Sequence, residues 1–158
     1  MPTVYDGFRT LAVLKSFTKS SSGFFRKKGS EKMIKNNCTF VFERDPASSD
    51  VTVRISGEID HHAAAGLRRE VDAGLLASVP DHLFLDMSGV TFMDSSGLGF
   101  IMGRYELMRR FSGETVLLSP SAPVEKMLKL TGFENRITIL KSKNGSGIKG
   151  QTGNMSFS

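Results

Sequence analysis

The sequence predicts an α/β fold: one domain built on a mixed β-sheet, covered mainly on one face by helices, in the order β-β-α-β-α-β-α-β. Three observations carry this. Short apolar or alternating runs recur through the middle of the chain, helical periodicities separate the later ones, and turn residues punctuate the boundaries. Helices alternating with strands imply parallel neighbours joined by right-handed crossovers. A chain of 158 residues has room for one domain with a true core.

The first strands are read at Thr39–Glu43 and Val51–Ser56, the second with Val51, Val53 and Ile55 alternating against Thr52 and Arg54. Asp45-Pro46-Ala47-Ser48-Ser49-Asp50 between them is a turn, and Gly57-Glu58-Ile59-Asp60 ends the second strand. A helix follows from His62 to Ala77, with Ala64, Leu67, Val71 and Leu75 on one face and Asp60 placed to cap it. Leu83–Met87 reads as a buried strand. The next helix, Ser96 to Phe111, is expected to bury Leu98, Ile101, Met102, Tyr105 and Met108, with Gly99 and Gly103 letting its backbone lie close to the sheet. Thr115–Leu118 is a strand, Pro123–Thr131 a helix stopped at Gly132, and Arg136–Leu140 the last strand.

Charge divides the chain. The formal net charge is +5, yet residues 1–37 carry +6, residues 38–140 carry −4, and residues 141–158 carry +3. The basicity sits in the ends, so the domain surface does not read as a nucleic-acid platform, and no direct DNA binding is expected. Residues 1–37 are read as a basic, flexible N-terminal extension, 38–140 as the domain, and 141–158 as a flexible Gly/Ser/Lys tail. Within the extension, Phe8, Leu11, Leu14 and Phe17 form the one amphipathic pattern. No apolar run approaches the ~20 residues a spanning helix needs. The single cysteine, Cys38, fits a reducing compartment.

The stretch richest in chemistry is Phe92-Met93-Asp94-Ser95-Ser96-Gly97-Leu98-Gly99, where a strand turns into a helix. A helix start offers unpaired N–H groups and partial positive charge. A serine there either caps the helix or carries a phosphate that the local field tolerates. Catalysis by this chain is not expected: Ser95 lacks a Gly-x-Ser-x-Gly setting, and no sequence argument ties His61, His62 or His82 to it as a base. The adjacent His61 and His62 have poor spacing for metal ligands, and Gly97-x-Gly99 is only a faint echo of a nucleotide loop, so neither a metal nor a cofactor is expected.

This element order, with Gly57-Glu58-Ile59-Asp60-His61-His62 after the second strand and Phe92–Gly99 before the second helix, resembles the STAS family. Within it the resemblance is to the anti-sigma factor antagonists, in particular the anti-sigma F type of spore-forming bacteria. Gly103-Arg104-Tyr105, Ser119–Val124 and Leu130-Thr131-Gly132-Phe133 extend the match. The resemblance implies phosphorylation on Ser95, the serine directly after Asp94. It implies partner binding through Asp60, His61, His62, Asp94, Ser95, Ser96 and Gly97. The implied partners are an anti-sigma factor that is itself a serine kinase, bound by the unphosphorylated form so that the sigma factor is released, and a serine phosphatase that restores phospho-Ser95. A cytoplasmic regulator of transcription in sporulation is the implied setting. The alternative is a STAS-type module that binds a small molecule or lipid, or that regulates a transporter.

Overall fold

The computed structural model describes residues 31–35 and 37–141. The rest of the two expected extensions, including Phe8, Leu11, Leu14 and Phe17, lies outside the described residues. Six strands form one sheet in the spatial order of the sequence: β1 (Glu31–Lys35), β2 (Cys38–Arg44), β3 (Asp50–Ile59), β4 (His82–Met93), β5 (Glu114–Leu118) and β6 (Thr138–Leu140). The pairs β1–β2 and β2–β3 are antiparallel; β3–β4, β4–β5 and β5–β6 are parallel. Helices α1 (His61–Ser78), α2 (Ser95–Arg110) and α3 (Ala122–Thr131) make the three crossovers, and a 3₁₀ turn, Phe133–Asn135, leads into β6. Because the crossovers all step the same way across the sheet, a common right-handed sense puts all three helices on one face. The mixed sheet with one-sided helical cover is the expected architecture.

Strand β1 is a correction. It falls inside the segment read as flexible, because Glu-Lys-Met-Ile-Lys has the composition of a charged linker. Pairing decides otherwise: Glu31 to Lys35 run antiparallel to Val41 to Cys38. Lys32 reaches Glu70 of α1 at 3.4 Å, and Ile34 lies against Gly66, where any Cβ would crowd it. A lysine such as Lys32 on an edge strand also discourages edge-to-edge association.

The core lies between the sheet and the helices. Val51, Val53, Ile55, Leu83, Leu85, Met87 and Leu117 meet Leu67, Val71, Leu75, Phe100, Ile101 and Met108, all fully buried. Cys38 belongs to this layer, and its thiol is pushed up to about 11, mainly by burial, so it stays protonated and inert. Val79 closes α1 in a left-handed conformation, its N–H bonding back to the Leu75 carbonyl, and Gly132 closes α3 in the same region.

Helix α2 departs from expectation on two faces. Met102 is exposed, and nothing lies within 4 Å of where a Cβ would stand at Gly99 or Gly103. The glycines therefore line an open face and are not pressed on the sheet. Arg104 is buried instead, stacked over the Phe100 ring with its Nε 2.8 Å from Asp72 Oδ1 on α1. The approach is an ion pair without an aligned hydrogen bond. Burial lowers the Arg104 pKa and raises that of Asp72, in each case outweighing the attraction of the partner. The pair clamps α1 to α2 without adding much net stability, yet removing one partner strands the other.

Two outcomes follow from these contacts. Arg104→Ala should destabilise the domain by about 3 kcal/mol, since it leaves the Asp72 carboxylate half-buried and empties space beside Phe100. The double variant Arg104→Met/Asp72→Leu should recover most of that loss in urea unfolding. Where the parallel pairing of β3 and β4 begins, His82 Nδ1 is 2.7 Å from Asp50 Oδ1, and this hydrogen bond, ahead of opposing desolvation, raises the His82 pKa. A raised histidine pKa adds stability that is fully present below the unfolded value of about 6.5 and is lost as pH rises through the folded value. Thermal unfolding from pH 5 to 9 should show that loss, and Asp50→Asn should flatten it.

Candidate functional site

Strands β3 and β4 run parallel, with Ile59 level with Met93, so their C-terminal ends deliver two helix starts side by side. Asp60 and Asp94 occupy equivalent positions as N-caps, both in extended backbone. The Asp60 carboxylate accepts from Ala63 N–H at 2.8 Å. That of Asp94 accepts from Ser96 N–H at 2.8 Å and Gly97 N–H at 3.3 Å. Short acceptor side chains in this position satisfy helix donors that would otherwise be orphaned. The Asp94 N–H in turn bonds the Ile59 carbonyl at 3.3 Å, tying the second turn to the end of the first strand.

Gly57 shapes the approach to the first helix. Its φ of +99° lies where side chains are strained, and a Cβ there would overlap the Asn37 carbonyl. That carbonyl accepts the Glu58 N–H at 2.8 Å, so the entry to β2 is held tightly against the end of β3 beneath the site.

The two adjacent serines differ. Ser95 is the first residue of α2 and is exposed, and its hydroxyl bonds to none of the described residues. Ser96 is half-buried, with its Oγ 3.2 Å from His61 Nδ1 across the gap between the helices. The cap is Asp94, so neither serine performs the capping role open to it from sequence. His61 and His62 are both exposed at the start of α1, their rings edge to face. Among the described residues no three or more His, Cys, Asp or Glu side chains gather as metal ligands.

Of the seven residues expected at a binding edge, Asp60, His61, His62, Asp94, Ser95 and Ser96 come together here. Gly97 does not present itself. It is buried, and a Cβ on it would overlap Met93 Cγ, so it packs the helix start onto the strand beneath. Sequence reading missed Met102 and Gly99. With Ser95 they lie at i, i+4 and i+7 on the open face of α2, so the site continues along the helix as a shallow stripe of small and apolar groups. Hydropathy gave no signal for Met102: it stands four residues after the buried Leu98, and only the packing of α2 leaves it exposed. Phe92, just before the turn, is also half-exposed.

Comparison with known proteins agrees with this fold. The STAS domain family matches residues 42–144. An anti-sigma F factor antagonist of Paenibacillus polymyxa is 39% identical over 81 residues, 51% of this chain and 69% of that protein. One of Lysinibacillus sphaericus is 34% identical over 83 residues, 52% of this chain and 71% of that protein. Among solved structures, the Bacillus cell fate determinant SpoIIAA in its phosphorylated form superposes with a TM-score of 0.55 at 26% identity, covering 66% of this chain and 92% of that one. A mixed six-stranded sheet with one-sided helices, two capped helix starts meeting at one edge, and this sequence identity lead to one conclusion: the chain belongs to the STAS family, among the anti-sigma factor antagonists.

Proposed function

We propose that this chain is a phosphorylation-switched binding module. Unphosphorylated, it docks on an anti-sigma factor and frees the sigma factor; a phosphate on Ser95 ends the docking, and a serine phosphatase restores it. The observation that carries the reading is the asymmetry of the two serines. The Ser95 hydroxyl stands exposed at the helix start, whereas that of Ser96 is engaged by His61. The anti-sigma factor is taken to be the kinase: a nucleotide γ-phosphate passes to Ser95 Oγ, the hydroxyl proton leaves, and the nucleoside diphosphate departs. The chain acts as substrate and ligand, not as an enzyme, in the cytoplasm of a bacterium. Among the described residues no helix is long and apolar enough to cross a membrane.

The local chemistry supports a switch that works by exclusion. Asp94 already holds the Ser96 and Gly97 N–H groups, so a phosphate on Ser95 would not capture them and would project outward. Phosphoserine adds roughly −1.5 to −2 charges at pH 7. The helix dipole offsets about 1 kcal/mol of the local burden, so the fold tolerates the group. A docked surface does not: two like unit charges ~6 Å apart at an effective dielectric of ~20 repel by about 3 kcal/mol. That is on the order of a hundredfold in affinity. The exposed stripe from Ser95 through Gly99 to Met102 suits a close-packed interface, with the serine at its margin. The antagonist relatives favour this reading over a module that binds lipid or regulates a transporter.

Incubation with the cognate anti-sigma factor and ATP, read by intact mass, should add one phosphate to the wild type and none to Ser95→Ala. Retained incorporation in Ser95→Ala with loss in Ser96→Ala would move the site. Ser95→Asp should weaken binding by about tenfold, less than phosphate does, because it brings one charge and not two. Asp60→Ala should weaken binding as well, through the loosened α1 start. Calorimetric titration with nucleotide present checks both. Wild-type affinity in both variants, each folded by circular dichroism, would show that this edge is not the interface.

A further inference from the structure

The sheet face opposite the helices is unlike that of a half-solvated sheet. Strands that face water on one side alternate apolar with polar residues. Here Leu83-Phe84-Leu85 and Val116-Leu117-Leu118 are continuous apolar runs, the pattern of strands covered on both sides. The register sets Thr52, Phe84, Val116 and Thr138 in one row on this face, and Arg54, Asp86, Leu118 and Leu140 in the next. Phe84, Val116 and Leu118 form a second apolar cluster, 2%, 0% and 7% exposed, with Leu140 packed against it. Yet α1, α2 and α3 all lie on the other face, and no described helix or strand crosses this one.

We propose that this face is the docking site of the chain's own N-terminal segment, through Phe8, Leu11, Leu14 and Phe17. Of the two stretches outside the described residues, only this one brings clustered apolar side chains; residues 142–158 offer Ile148, Met155 and Phe157 among glycines, serines and lysines. The reach is sufficient. The chain enters β1 at Glu31, and β1 lies four strand spacings from β5, about 19 Å at ~4.8 Å each. The thirteen residues between Phe17 and Glu31 can extend to about 43 Å. Charge agrees: residues 1–30 carry six Lys or Arg and one Asp, while the margin of the face carries Asp86 and Glu114, with Arg54 paired to Asp86 at 3.2 Å. The Ser95 edge is built from helix starts on the opposite side, so this docking is independent of the switch proposed there.

The test is side-chain NMR on the full chain, labelled with ¹³C at Phe, Leu and Val. Cross-relaxation from Phe84, Val116 or Leu118 to Phe8, Leu11, Leu14 or Phe17 is expected, unchanged on dilution. Contacts seen only between chains in an isotope-mixed sample would assign the face to a second copy and overturn the proposal. Contacts to Ile148, Met155 or Phe157, or a face reached freely by a soluble paramagnetic probe, would overturn it too. In a second measurement, Leu11→Asp/Leu14→Asp in the full chain should raise fluorescence of an apolar dye severalfold while unfolding stays cooperative. Unchanged dye binding in the folded double variant would count against the proposal, and if that variant does not fold the wild-type contacts decide.

Discussion

The parallel pairing of β3 with β4 is the constraint on which the rest depends. It runs from Asp50 beside His82 to Ile59 beside Met93, nearly the whole length of β3. Such a pair cannot be closed by a hairpin, so a crossover helix must leave the end of β3 and return to the start of β4. That places the start of α1 at the C-terminal end of the sheet, and the next crossover places the start of α2 beside it. The site is a consequence of topology before it is one of side chains: two carboxylate-capped helix starts, a few ångströms apart, with Ser95 standing on the second.

Local chemistry then assigns separate tasks to neighbouring residues. Asp94 takes the capping work, which leaves the Ser95 hydroxyl available. His61 engages Ser96 and links the two helix starts across their gap. Gly97 lets the helix settle on Met93, and Gly57 lets β3 turn under the Asn37 carbonyl. Deeper in the domain, Arg104 and Asp72 fix how α1 lies against α2. The edge that carries Asp60, His61, Asp94 and Ser95 is therefore held on rigid elements, and under the proposed switch a charge added at Ser95 would act on the docked partner and not on the fold underneath.

The two faces of the sheet carry different burdens. One holds the main core, with fully buried residues from β3, β4 and β5 meeting all three helices. The other holds a smaller apolar cluster around Phe84 and Val116. A central strand that is apolar on both sides needs cover on both, and a domain described only by its crossovers supplies one. The N-terminal segment is the cover proposed for the second face.

Sequence alone determined the element order, the sites of the crossovers, the main core face and the strand-to-helix turn at Asp94-Ser95. These rest on local periodicity and on turn and cap residues, which act over a few positions and are visible in one dimension. It did not determine β1, because five residues with three charges and two apolar side chains become a strand only when Cys38–Val41 offers an edge to pair with. Nor did it reveal that Arg104 is buried while Met102 is exposed: hydropathy ranks the two the wrong way, and only the packing of α1 against α2, with Asp72 facing Arg104, reverses them. Which serine keeps a free hydroxyl was likewise undecidable from Asp-Ser-Ser-Gly. It depends on His61, thirty-five residues away, being brought to hydrogen-bonding distance of Ser96 by the register of two parallel strands.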